Sequence, residues 1–524
     1  MTRIAGSTLP PVHPFVGMDL TTVLAERVRR RPDHLMLIWE PADAAPRTWT
    51  YAEFAHDVAA TAAGLAARGV GPGDAVIIHL DNSPGFLQVW FACARLGAVA
   101  IDVNTRYAQD ELAHAVEITG AVGIVTDARL GLADSSTAAR LGWIARLDPA
   151  TGTVPDLFGD PADAPTRTPD PGAPLCVQLT SGTTSRPKAV LYTHANALWA
   201  GQLGATTWRL SSEAVQFVYA PLFHTHALCW QFLPTLWAGG TTVLVPKFSA
   251  SRFWEVSVRN GCTHTGLLGL PFTLLAEQPV PAHSYRSWIF GFEYPQVDAR
   301  YGLRLLSAWG MTEVVATPIA GNLDSPGEPL EMGRAAPAYE LRIADPTGVP
   351  VAPGETGELL VRGVRGLSLF AEYLGDPKAT AEAFLDGYFR TGDLVTLTPT
   401  GGLKFAGRAK DMLKVSGENV AAAEIERVIA AVTDVTAAAV VGRQDRFRGE
   451  VPVAFITAPD TASPTELTDQ VLAACRAQLA DFKVPHDVYL VDELPRATLD
   501  KISKGVLRQW AEQRAEAASS HATR

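Results

Sequence analysis

From Leu20 to about Asp127 the apolar residues fall at two alternating spacings. Stretches such as TYAEFAHDVAATAAGLAARG carry them at helical intervals, whereas AVIIHL, AVAIDVN and VGIVTD are short apolar runs closed by turn residues. Amphipathic helices alternating with buried strands predict parallel strands joined by crossover helices. The segment Gly69 to Asp74 reads as a turn feeding a strand at Ala75 to Leu80. Gly85 to Val103 is the most apolar long stretch, yet it contains Gln88, Arg95 and Asp102. A buried helix running into a strand fits it better than a membrane span. Between Leu147 and Pro174 the chain is rich in Pro, Asp, Gly and Thr and reads as a long connection. The alternation resumes with VQFVYAPLF, TTVLVPKF and LRLLSAWG.

Beyond that point the strands crowd together. Leu341 to Asp345, Gly357 to Arg362 and the segments up to Phe405 are separated by Gly and Pro turns, which predicts a smaller β subdomain. A boundary is expected near Gly407 to Asp411. After it, AAAEIERVIAAV and TELTDQVLAACRAQLA read as helices and AAAVVGR and VPVAFITA as strands. The expected fold is therefore α/β: a large N-terminal domain of parallel-rich sheets, crossover helices and a β subdomain over residues 1–409, then a small α+β domain over 410–524. The polar, Ala-rich tail after Gln513 reads as a fraying end.

Composition narrows the class. A chain of 524 residues is too long for one core and suggests two to four domains at roughly 150 residues each. The net charge of −11 argues against a nucleic-acid binder, which needs a basic field to displace counterions. An anionic ligand must instead meet locally gathered cations. Cys93, Cys176, Cys229, Cys262 and Cys475 lie far apart without metal-ligand spacing, which points to a reducing cytoplasm. The opening MTRIAGSTLPPVHPF has no secretory pattern, so a protein without a membrane anchor is expected. A homodimer is compatible with the sequence, which carries no trace of oligomeric state.

Chemistry concentrates in Leu179 to Val190, LTSGTTSRPKAV. Thr180, Ser181, Thr183 and Thr184 surround Gly182, which lets successive amides turn toward one anion, and Lys188 adds a mobile cation. This suits a polyphosphate. A Walker loop would place Ser or Thr after the lysine, but Ala189 stands there. The plain alternative is a polar surface turn. Other candidates have plain rivals too: Glu313 as a carboxylate at a helix entry, Asp393 as a turn residue, and Arg408, Lys410 and Lys501 as solvated charges.

Order makes the difference. LTSGTTSRPKAV is followed by AWGMTE, YFRTGDL, GRAKDMLKVSGENV and PRATLDKISK, and this succession resembles the adenylate-forming superfamily over nearly the whole chain. Within it the chain resembles acyl-CoA synthetases, and TSGTTSRPK, GMTE, DPKATAEAF and DFKVPHDV are similar to the carnitine-CoA ligase group. The resemblance implies ATP, Mg²⁺ and coenzyme A as cofactors and a carboxylic acid as substrate, activated as an acyl-adenylate. It implies that Thr180, Ser181, Gly182, Thr183, Thr184 and Lys188 hold the β and γ phosphates, Thr312 the α-phosphate and Glu313 the metal. Trp309 would face adenine, Asp393 the ribose hydroxyls with Arg408 assisting, and Lys501 both carboxylate and α-phosphate. His224, Trp230, Gly291, Phe292, Gly310 and Met311 would line the acyl pocket. The resemblance also makes the small domain mobile, hinged at Lys410, with Gly417 lining the pantetheine path.

Three residues depart from the family pattern on the nucleotide side: Trp309 for a tyrosine, and Ala189 and Asp500 each for a glycine. They motivate a second expectation, a ligase that only transfers a preformed acyl-adenylate to coenzyme A. A third is an acyl-binding or carrier-loading module. Trp230, Phe292, Trp309 and Met311 argue for a mostly hydrophobic acid, and Glu293 against a small anionic one. His226 is expected to be structural, and no third ligand supports a metal on the histidine pair.

Overall fold

The computed structural model describes residues 14–131, 136–180, 187–408, 412–459, 463–495, 502 and 504–522. Two large sheets organise the N-terminal part. One has seven described strands, and its centre, Val99–Asp102, Ala75–His79 and Gly123–Thr126, is parallel as expected. The stretch from Gly85 onward is the expected buried helix and strand. Its helix, Pro84–Leu96, buries every residue but Arg95, is capped by Ser83, whose hydroxyl accepts from the Phe86 N–H, and ends at left-handed Gly97. A helix apolar all round belongs inside a large protein.

The second sheet has nine described strands. In it Val215–Val218, His264–Gly266, Ser287–Phe290 and Arg304–Trp309 run parallel side by side. In open α/β sheets ligands bind outside the carboxyl ends of such strands, and AWGMTE leaves the sheet at that edge. The expected β subdomain is a separate antiparallel sheet built on Glu340–Ala344, Thr356–Arg362, Tyr388–Leu397 and Leu403–Arg408. All five cysteines are buried and unpaired. Among the described residues no helix is long and apolar enough to cross a membrane.

The smaller C-terminal domain has its own cores. The helix Ala422–Ala430 and the helix Pro464–Gln478 cover one face of the strands Ala437–Asp445 and Gly449–Thr457. The other face is covered by the helix Lys504–Ala522. That helix corrects the expected fraying end: it continues to Ala522, because Leu507 and Ala511 are buried on the sheet and Glu512 accepts the Gln444 N–H at 2.9 Å. Anchored alanine-rich sequence is helical sequence.

Polar contacts join the two parts. Lys483, 1% exposed, reaches Glu111 of the large domain and Glu424 of the small one, the latter at 2.9 Å. Burial disfavours its charge, but the two carboxylates outweigh that and raise its pKa. Arg106 pairs with Asp481, and Arg446 with Glu277.

Candidate active site

The phosphate loop is gripped by a ladder. Pro174–Thr180 and Lys188–Thr193 are antiparallel, with Thr180 opposite Lys188, so both ends of the loop are fixed. Ser181, Gly182, Thr183 and Thr184 lie outside the described residues, as do Lys410, Asp500 and Lys501. Thr180 is described, and its buried hydroxyl has no hydrogen-bond partner among the described residues. An unmade buried hydrogen bond is costly, and a phosphate oxygen would satisfy it. Ala189 proves to be a core position, buried in the cluster with Val177 and Leu191, so its methyl fills the interior.

Beside the loop stands a chain of three residues. Lys188 Nζ lies 4.2 Å from the centre of the Tyr373 ring, and the Tyr373 hydroxyl donates to Glu313 Oε1 at 2.9 Å. Burial and the neighbouring Glu313 charge raise the Tyr373 pKa, so it remains a donor. Glu313 is buried in the turn Thr312–Val314, whose Thr312 carbonyl accepts from the Tyr192 hydroxyl. Among the described residues no three His, Cys, Asp or Glu side chains gather as a metal cage. Magnesium in nucleotide sites commonly takes one or two carboxylates with phosphate oxygens, a donor set that Glu313 fits.

The residues expected to face the ribose lie at strand ends. Trp309 closes the strand Arg304–Trp309, and its indole N–H donates to Asp393 Oδ2 at 2.9 Å. The backbones of Asp393 and Arg408 are direct partners in the ladder. Gly310 follows, and a side chain there would begin 2.5 Å from Trp230 Cζ2. Trp230 in turn donates to the Val315 carbonyl at 3.2 Å. Val315 has φ 62° and ψ −61°, and the Ala316 N–H closes a three-residue turn onto the Val314 carbonyl at 2.6 Å. A β-branched residue in that conformation is strained, a condition that concentrates at functional sites.

Phe292 and Met311 are partly buried against the large core, and Gly291 has no heavy atom within 4 Å of where a side chain would start. Glu293 differs from expectation: its carboxylate accepts from Ser307 at 2.8 Å and pairs with Arg304 at 3.4 Å, so its charge is compensated. It carries no argument against an anionic acid.

The C-terminal domain reaches this site through one hairpin. Ser416 and Gly417, at φ 53° and 85°, form the tight turn between Met412–Val415 and Glu418–Ala421. The turn abuts Leu268, with Gly417 positioned so that a Cβ would lie 3.7 Å from Leu268 Cδ1. Glu418 accepts from His224 Nε2 at 2.9 Å and from Asn104 at 3.3 Å. Burial opposes charging of His224, but Glu418 outweighs it and raises the imidazole pKa. Tyr373, Glu418 and Asn104 were not singled out in the sequence. Glu418 directly follows the turn glycine of the GRAKDMLKVSGENV motif, and that acidic neighbour was the available signal.

Comparison with known proteins places most of the chain. The family model of the AMP-binding enzyme matches residues 24–374, and that of the AMP-binding enzyme C-terminal domain matches residues 424–501. A crotonobetaine/carnitine–CoA ligase of Escherichia coli O7:K1 is 33% identical over 90% of this chain and 95% of its own length. Among solved structures, the o-succinylbenzoate CoA synthetase MenE of Bacillus subtilis, bound to a product analogue, covers 93% of this chain and 98% of its own, with a TM-score of 0.81 and 26% identity. ATP-bound MatB of Rhodopseudomonas palustris covers 94% and 99%, with a TM-score of 0.68 and 28% identity. With the two family models matched in order along it, the chain belongs to the AMP-binding enzymes.

Proposed function

We propose that the protein is an AMP-forming acid–CoA ligase. The observation that carries the reading is the link from the Lys188–Tyr373–Glu313 chain, through the Tyr192 hydroxyl that contacts both Thr312 and Thr225, to His224, where the hairpin with Gly417 and Glu418 docks from the other domain. A carboxylate has a poor leaving group for thiol attack. Its oxygen therefore attacks the α-phosphorus of ATP, pyrophosphate leaves, and a mixed anhydride forms. The thiol sulfur of coenzyme A then attacks the acyl carbon, its proton is lost, and AMP departs.

Both partners of the first step are anions, so alignment and charge neutralisation dominate. Thr180 with Ser181, Gly182, Thr183, Thr184 and Lys188 holds the β and γ phosphates, and Thr312 the α-phosphate. Glu313 would hold Mg²⁺, which would supply positive charge to the phosphates. Asp393, oriented by Trp309 and flanked by Arg408, takes the ribose hydroxyls. Lys501 bridges carboxylate and α-phosphate.

The C-terminal unit, which we place at residues 410–524, then pivots at Lys410 so that Gly417 borders the path of the thiol arm. The docked hairpin at His224 suits this second step. Curated relatives such as the crotonobetaine/carnitine–CoA ligases are CoA ligases by name and do not favour a carrier-loading module or a ligase lacking the ATP step.

The test is acid-dependent exchange of labelled pyrophosphate into ATP, followed by thioester and AMP formation on adding coenzyme A. Absence of both with a broad acid panel overturns the reading. Thioester formed only from a supplied acyl-adenylate replaces it with the one-step ligase.

A further inference from the structure

The acid-binding end holds one buried polar relay that the reaction above does not use. Gln216, on the strand Val215–Val218, and Gln231, in the wide helical turn Leu228–Phe232, are each no more than 1% exposed. The Gly266 N–H donates to Gln231 Oε1 at 3.0 Å, and Gln216 Nε2 donates to the same oxygen at 3.1 Å. A backbone N–H can only donate, so that end of the Gln231 amide is its oxygen. Its nitrogen therefore faces His226, 3.2 Å from Nδ1 and 3.3 Å from the His226 carbonyl.

An amide nitrogen only donates. His226 Nδ1 must accept, and a neutral ring must then carry its proton on Nε2. Burial, reinforced by the nearby His224 and Lys414, pushes the His226 pKa down to about 4, so the ring is neutral near pH 7. Among the described residues Nε2 has no partner. Space for the ring depends on Gly266, where a side chain would begin 2.8 Å from His226 Cε1. The ring stands edge-on to Trp230, with centroids 5.4 Å apart, and Trp230 lies against Gly310 of AWGMTE.

We propose that His226 is the specificity residue of the acid pocket, offering a fixed Nε2–H donor, and that the enzyme selects acids whose acyl portion carries a neutral hydrogen-bond acceptor such as a ketone or ether oxygen. The proposal rests on the acid–CoA ligase reading. A fully hydrophobic acyl group covers the donor without bonding it, and a second carboxylate meets a neutral ring that does not compensate its charge. The acceptor belongs on the acyl portion because Trp230, beside the ring, packs on the wall expected to line that portion.

The test compares matched acids on the full chain with ATP and coenzyme A: 4-oxopentanoate against 4-methylpentanoate, and 4-acetylbenzoate against 4-isopropylbenzoate. The acceptor-bearing member of at least one pair is expected to show kcat/KM higher by about tenfold or more, mainly through KM. In His226→Phe that ratio collapses toward one, and in Gln231→Met, which frees the tautomer, it falls part of the way. Equal kcat/KM within both pairs for the wild type, or an unchanged ratio in a folded His226→Phe, overturns the proposal alone. Product from no acid overturns the ligase reading and this proposal with it. The wild-type comparison decides the matter even if a variant fails to fold.

Discussion

The indole N–H of Trp309 donates to the carboxylate of Asp393 across 2.9 Å, tying the end of the motif AWGMTE to the motif YFRTGDL. A residue that departs from the family pattern thus orients the carboxylate proposed to take the ribose hydroxyls. Hydrogen bonds to charged groups are worth about 1.5–3 kcal/mol. Trp309→Phe keeps an aromatic face but removes the donor, so KM for ATP should rise about tenfold with a smaller change in KM for the acid. Steady-state kinetics check this, and equal rises in both constants would count against it.

Tyr373→Phe removes the donor to Glu313 while preserving the ring beneath Lys188. The carboxylate loses its fixed direction. Pyrophosphate exchange should fall about tenfold, and its dependence on Mg²⁺ should shift to higher concentration. An unchanged magnesium titration contradicts the assignment of Glu313.

The contact of His224 with Glu418 makes docking of the small domain depend on pH. The His224 pKa is raised, so its contribution is complete below the ordinary value of about 6.5 and is lost as pH rises through the raised value. Burial raises the Glu418 pKa, but His224, Arg106 and Lys483 outweigh it and lower the value. Its contribution is complete above the ordinary carboxylate range and is lost as pH falls toward the lowered value. An interdomain fluorescence pair should therefore report weaker docking above neutrality, and Glu418→Gln should abolish that dependence.

Lys483→Met leaves Glu111 and Glu424 facing one another without their cation. Breaking a buried ion pair from one side costs about 3–5 kcal/mol. Calorimetry should show the melting temperature lowered by several degrees, with partial recovery in Lys483→Met combined with Glu111→Gln.

Gly417→Val places a side chain at φ 85°, where L residues are strained, beside Leu268. Thioester formation should drop by at least tenfold while pyrophosphate exchange persists. Parallel loss of both activities would place Gly417 outside the second step.

Much of this was legible before any coordinates. The buried helix before Gly97, the parallel strands around Ala75 and the antiparallel sheet built on Thr356–Arg362 follow from spacing and turn residues alone. Spacing along the chain cannot reveal what meets across it. Tyr373 reaches Glu313 from 60 positions away and Glu418 reaches His224 from 194, so neither pairing leaves a local signature. Ala189 looked like a change at the nucleotide because it adjoins Lys188, yet alternation along a strand turns its methyl into the core. The tautomer of His226 depends on Gln216, Gln231 and Gly266, which only the folded sheet assembles.

The turn Leu228–Phe232 is a π-helix, one residue wider per turn than its α-helical neighbours. Dropping a residue there would restore the tighter coil and swing one flank by about 100° relative to the other. Trp230 and Gln231 could then no longer both keep their stations. A residue gained or lost in that stretch therefore displaces one of the two, whereas a substitution at constant chain length leaves both in place.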